Sequence, residues 1–146
     1  MNTTLILKHT FNASPEKVYA TWTDPAKMAK WFGSSKDGAE IHELNVSKGG
    51  TYRLTMLGDD GIKYPLSGMY TEVDPPYKLV GTFQWAKNEK IENWANETIL
   101  TVEFKEVNGK TELTYTHENL YDEKAMQVHA DAARAGFIKI EQLITD

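Results

Sequence analysis

Two hydrophobic rhythms divide this chain. From Asp122 to Ile144, Met126, Ala130, Ala133, Phe137, Ile140 and Ile144 recur at alternating steps of four and three, which places them on one face of an α-helix. Asp122 is placed as its N-cap, Glu123 adds negative charge to the first turn, and no Pro interrupts the run. At 1.5 Å per residue the helix would extend roughly 34 Å, enough to cross a small domain. Ala130, Ala132, Ala133, Ala135 and Gly136 make its middle small, while Phe137, Ile138, Ile140, Leu143 and Ile144 make its end bulky. The bulky end anchors the helix. The small middle either lets it lie close against a sheet or leaves room between them for a ligand.

Ahead of that helix the dominant period is two. Residues 4 to 11 alternate with Leu5, Leu7, His9 and Phe11 on one side, a first strand. Ser14-Pro15-Glu16 and then Asp24-Pro25 are helix starts, so two short helices follow, with Val18 and Trp22 buried on the first and Met28, Trp31 and Phe32 on the second, ending at Gly33. From Ala39 to Leu120 six strands fit: Ile41 to Ser47, Thr51 to Leu57, Ile62 to Val73, Tyr77 to Trp85, Asn96 to Val107 and Lys110 to His117. Asp74-Pro75-Pro76 and Asn108-Gly109 are the clearest turns between them. Tyr52, Leu54 and Met56 share one face, as do Leu79, Phe83 and Trp85, then Leu100, Val102 and Phe104, then Leu113, Tyr115 and His117. The opposite positions are mostly polar, so the sheet is dry on one side and needs a cover, for which the long helix is the candidate. In the strand from Ile62, Tyr64, Leu66, Gly68 and Tyr70 compete with Met69 and Val73 for the inward side. The expected class is α+β, in the order β-α-α-β-β-β-β-β-β-α, as one domain spanning residues 1–146.

Composition narrows the function more by exclusion than by assignment. A net charge of −5 without a Lys/Arg cluster argues against nucleic acid and anionic membrane surfaces as partners. The absence of Cys excludes disulfides and thiolate chemistry, and neither a signal-peptide pattern nor an apolar run of spanning length is present, so a cytoplasmic protein is expected. The four His residues, His9, His42, His117 and His129, never fall at a chelating spacing, which argues against a metal site. Ser67 lacks the first Gly of a nucleophile elbow, and GSSKDG at 33 to 38 is not a phosphate loop. His117 and Tyr115, on one strand face, are the acid/base candidates; the alternative for His117 is a half-buried ring bonded to backbone or to Tyr115. Trp31, Phe32, Phe83 and Trp85 are either the mouth and wall of a pocket for a flat ring or a plain aromatic core. The acid-rich stretch Glu89 to Glu97 is expected to be a mobile loop able to gate such a pocket.

The stretches SPEKVYATWTDPAKMAKWFG at 14 to 33, GG at 49 to 50, SGMYTEVDPPYKLVGTFQW at 67 to 85 and TELTYTHENL at 111 to 120, in that order, resemble the START-like (SRPBCC) helix-grip superfamily. Within it the chain looks most like the bacterial homologues of the activator of heat-shock protein 90 ATPase. The resemblance implies a curved antiparallel sheet wrapped around the last helix, commonly with an apolar cavity between them. Two departures stand out: Asn45 and Ser47 occupy positions where the family often has an Asp and an Arg, and Gly136-Phe137 replaces a Gly-Trp. Both suggest a ligand different from that of commoner members. The extra N-terminal domain of the eukaryotic co-chaperones has no counterpart in these residues, so chaperone activation does not follow from the likeness.

The expected function is therefore binding of a small hydrophobic or aromatic molecule between helix and sheet, without a cofactor. The lining would be Trp31, Phe32, Tyr52, Leu54, Met56, Tyr70, Phe83, Trp85, Val102, Tyr115, His117, Ala133 and Phe137. Alternatives are a cyclase- or hydrolase-type enzyme using the same cavity through His117 and Tyr115, and a protein-interaction module or chaperone ATPase co-regulator. A homodimer and a chaperone complete the partner expectations.

Overall fold

Alternating apolar positions assemble an antiparallel sheet that curls around one long helix. A computed structural model describes residues 3–33, 36–87 and 94–144. Among these the strands are β1 (Thr3–Phe11), β2 (Ala39–Leu44), β3 (Thr51–Leu57), β4 (Lys63–Asp74), β5 (Lys78–Trp85), β6 (Thr98–Val107) and β7 (Lys110–Leu120). They lie in the order β1-β7-β6-β5-β4-β3-β2. The helices are α1 (Pro15–Thr23), α2 (Pro25–Trp31) and α3 (Glu123–Ile144). Because β1 and β2 are consecutive strands at opposite edges, α1 and α2 carry the chain across the open side of the sheet.

Local chemistry sets the element ends. Ser14 caps α1 by accepting from the Lys17 amide, and Asp24 both ends α1 and caps α2, accepting from the Ala26 amide at 3.0 Å. Asp122 caps α3: its side chain accepts from Ala125 N at 2.8 Å and its carbonyl from Met126 N at 3.0 Å. Asp122→Ala should cost about 1 kcal/mol of stability in a urea melt, the usual worth of an N-cap. Asn108 and Gly109 both have positive φ, as the tight hairpin between β6 and β7 requires.

The structure resolves one open point of the expected pattern and changes two others. On β4, Leu66 and Tyr70 are buried and Met69 is exposed, so the Tyr64-Leu66-Gly68-Tyr70 set faces the core; a register shift between Tyr70 and Glu72 then brings Val73 onto the core side. β2 starts and ends earlier than expected, with a bulge between Ile41 and Glu43. β7 runs past His117 to Leu120. Asn119 takes a positive φ there, and this irregularity lets both His117 and Leu120 face inward three residues apart.

The core lies between the concave face and α3. Phe11, Val18, Leu54, Leu66, Val102, Phe104, Leu113, Phe137 and Ile140 are all nearly inaccessible to water. The close contacts of α3 are with β1, β7, α1 and α2. His9 on β1 clasps the bulky end of α3 by bonding Glu141 through Nε2.

Candidate functional site

The other half of α3 faces β3 and β5 across a seam that side chains fill incompletely. An open cleft of about 580 Å³ runs along it, walled by Met56, Tyr64, Trp85 and Trp94 on one side and by Val128, His129 and Ala132 of α3 on the other. Behind the cleft lies an inner void of about 40 Å³, lined by Trp31, Phe32, Phe83, Tyr115, Ala133 and Phe137 among others. A second void of about 50 Å³ lies against Tyr52, Leu54, Tyr70 and Val102. The first void adjoins each of the other two spaces and shares wall residues with both. Met56, Trp85, His129 and Ala132 border both cleft and first void; Trp22, Phe32, Phe83 and Leu100 border both voids.

The small residues of α3 do two different things. At Gly136 the helix is close-packed: a Cβ there would come within 3.0 Å of Cε3 of Trp31, whose indole N–H donates to the Thr21 carbonyl at 2.6 Å. At Ala132 and Ala133, one turn earlier, short side chains leave the first void unfilled. Gly33, with φ near 89°, plays the matching part on the opposite wall, since a Cβ there would meet Cγ of Met56 at 2.5 Å. Lys139 ties the same glycine to α3, donating to its carbonyl at 3.0 Å.

Two histidines sit beside the voids in defined tautomers. Trp85 donates its indole N–H to Nε2 of His129 at 2.9 Å, so that nitrogen is an acceptor and the proton lies on Nδ1, which donates to the Ala125 carbonyl at 2.6 Å. Thr98 gives its single hydroxyl proton to the Phe83 carbonyl at 2.6 Å; His117 Nε2, 2.7 Å from the same oxygen, must therefore be the donor to it. This leaves Nδ1 of His117 as a buried acceptor without a partner among the described residues. The two rings meet edge to face with centroids 5.1 Å apart. Burial lowers the pKa of His117 to about 3, with the neighbouring His129 adding to the effect. Burial also lowers His129, against an upward pull from its bond to Ala125. Both are neutral at ordinary pH.

The structure brings twelve of the thirteen expected lining residues to one or another of these spaces: Trp31, Phe32, Tyr52, Leu54, Met56, Tyr70, Phe83, Trp85, Val102, Tyr115, Ala133 and Phe137. His117 is fully buried behind Phe83, Tyr115 and His129 and touches none of the three. Its ring and that of Tyr115 are 6.1 Å apart, and burial raises the Tyr115 phenol far above its ordinary range. The geometry assigns this pair no proton-transfer step. Among the described residues no three His, Cys, Asp or Glu side chains gather as a metal-binding group. The acid-rich stretch expected to gate the pocket falls largely on residues 88–93, outside the described residues; Trp94, at its edge, lines the cleft.

The expected lining leaves out His129 and Trp22, together with Leu100, Ala132, Tyr64, Trp94 and Val128. The four-and-three stripe on α3 was drawn through Ala130, yet His129 lies three residues after Met126 and four before Ala133, so it occupies the same face. Trp22 was read only as the buried stripe of a short helix, and nothing local indicates that it borders both voids.

A curled antiparallel sheet closed on a long C-terminal helix, hollow along one half of the seam, defines a helix-grip, START-like protein. The chain belongs to the family described as "Activator of Hsp90 ATPase homolog 1-like protein", whose model matches residues 12–144. It is similar in structure to a protein from Chromobacterium violaceum, with a TM-score of 0.87 at 21% identity over 98% of this chain and 97% of that one. A protein of the same family name from Silicibacter pomeroyi gives 0.82 at 24% identity over 98% of both chains. One from Mycobacterium smegmatis gives 0.79 at 24% over 96% of this chain and 89% of that one. Likeness at these identities carries the fold alone. No curated protein matches the sequence.

Proposed function

We propose that this chain binds a small, largely apolar or aromatic molecule along the seam between α3 and the sheet. The observation that carries the reading is adjacency: a cleft of about 580 Å³, within the ordinary range for small-molecule sites, shares four wall residues with a void lined almost wholly by aromatic and aliphatic side chains. Met56 and Trp85 stand at the junction, and the unbranched thioether can swing aside to admit a ring. Among the described residues no helix is long and apolar enough to cross a membrane, and the net charge of −5 disfavours nucleic acid.

Native mass spectrometry of freshly purified protein, followed by a thermal-shift screen of flat aromatic and fatty compounds, tests the reading. A bound mass or a saturable rise in melting temperature is expected, because a ligand that prefers the folded state stabilises it. Ala133→Trp fills the first void and should weaken binding of a confirmed ligand at least tenfold while the fold survives. Unchanged affinity in a folded Ala133→Trp protein would remove the site from this seam.

The family description supports a second reading, a co-regulator of a chaperone ATPase. Stoichiometric recovery of heat-shock protein 90 in a pull-down, with a raised ATPase rate on adding this chain, would favour it over small-molecule binding.

A further inference from the structure

We propose that Trp22 is the polar anchor of this site and selects flat ligands carrying a neutral hydrogen-bond acceptor, such as a ketone or ether oxygen; the proposal rests on the ligand reading above and sharpens it. Three tryptophans border the voids, and two have their indole N–H engaged: Trp31 donates to the Thr21 carbonyl and Trp85 to His129. Trp22 is 4% exposed and its Nε1 has no acceptor among the described residues. Two carbonyls of its own helix serve other side chains: that of Thr21 accepts from Trp31 and that of Val18 from the Thr21 hydroxyl. The ring is packed among other rings. It is held against Trp31 at a centroid distance of 4.5 Å and against Phe104 and Tyr115 at 6.4 Å.

Position and chemistry then set the ligand class. Trp22 borders both inner voids, a place it shares with Phe32, Phe83 and Leu100, all without a polar side-chain atom. An indole N–H donates and never accepts, so its complement on a ligand is an acceptor. No charged side chain among the described residues lines either inner void: burial lowers the pKa of His129 and raises those of the Tyr115, Tyr52 and Tyr70 phenols, so all four are neutral. A carboxylate or phosphate would therefore enter without a counter-charge, at high desolvation cost, whereas a carbonyl or ether oxygen loses little hydration and gains the bond. The voids are narrow, which limits the occupant to a thin ring system that reaches them past Met56 and spreads them apart.

The test compares indane with 1-indanone, which share a ring frame and differ by one carbonyl, by calorimetric titration into wild type and Trp22→Phe. The ratio of affinities, ketone to hydrocarbon, is expected to fall about tenfold in the variant, the scale of one buried neutral hydrogen bond, while indane still binds. In nitrogen-15 spectra of the wild type, one indole N–H signal should move downfield with 1-indanone and stay with indane. That signal is the one missing from Trp22→Phe or, if the variant does not fold, the one with proton contacts to the rings of Phe104 and Tyr115. An unchanged ratio or an unmoved Trp22 signal, with both compounds bound, would overturn the anchor and leave the apolar site standing. If neither compound binds wild type at millimolar concentration, the site reading falls and the anchor with it.

Discussion

Phe137→Ala should cost about 3–5 kcal/mol of folding stability, the largest loss expected from any single side chain at the seam. Phe137 is 2% exposed, and its ring is met edge-on by Phe11 at 6.1 Å and by Tyr115 at 6.0 Å, with His9 at 5.4 Å. It is the point where the close-packed and hollow halves of α3 meet, since Gly136 beside it receives Trp31 while Phe137 itself walls the first void. Truncation would remove those contacts and merge the space left with a void that already exists, so the surroundings have little to collapse onto. In urea melts the midpoint should fall with the slope unchanged, and the melting temperature should drop by roughly 10 °C. Phe137→Trp keeps the ring and should be far milder. If Phe137→Ala lost less than about 1 kcal/mol, the placement of this ring at the junction would be wrong.

The second large effect is acid destabilisation originating in the two buried histidines. The folded pKa of His117 is about 3 and that of His129 is also lowered, both through burial, whereas in the unfolded chain each titrates near 6.5. Between those limits the unfolded state binds protons that the folded state refuses. Stability is therefore complete above about pH 6.5 and falls as pH is lowered, by at most about 1.4 kcal/mol per pH unit for each ring, until the folded pKa is reached. For His117 the fall continues to about pH 3, a total of several kcal/mol. Urea melts at steps from pH 7.5 to 4.5 would show it. His129→Gln should flatten the slope by one ring's share in the same window. A stability flat from pH 7 to 5 would mean that both rings are far better solvated than their burial indicates.

The fold was legible because each of its devices is local. Ser14-Pro15, Asp24-Pro25 and Asp122 mark helix starts through caps that need only a few neighbouring residues, and all three act as caps in the structure. Alternation over Tyr52 to Met56, Leu79 to Trp85 and Leu100 to Phe104 assigned the sheet faces, because period-two geometry leaves a strand no other way to bury apolar residues together. Where two patterns competed, on β4, and where a positive φ broke the period, at Asn119, local signals were ambiguous or silent. The stripe on α3 likewise indicated which face is buried, but not that Trp31 would fill the space at Gly136 while a small void would remain beside Ala133.

The sequence by itself determined the elements, their order and the apolar lining of the seam, since these follow from periodicity, capping and the need of a one-sided sheet for a cover. Tertiary structure alone decided how that lining divides into packed core and empty space. A void is the difference between the volume that distant elements enclose and the volume their side chains fill, and no stretch of chain carries both terms. The same holds for the polar groups. His117 and His129 are twelve residues apart on different elements, and they become a neutral, fixed-tautomer pair only when β7 and α3 close on Thr98, Phe83 and Trp85. Trp22 is an ordinary helix residue until the sheet surrounds it without offering an acceptor.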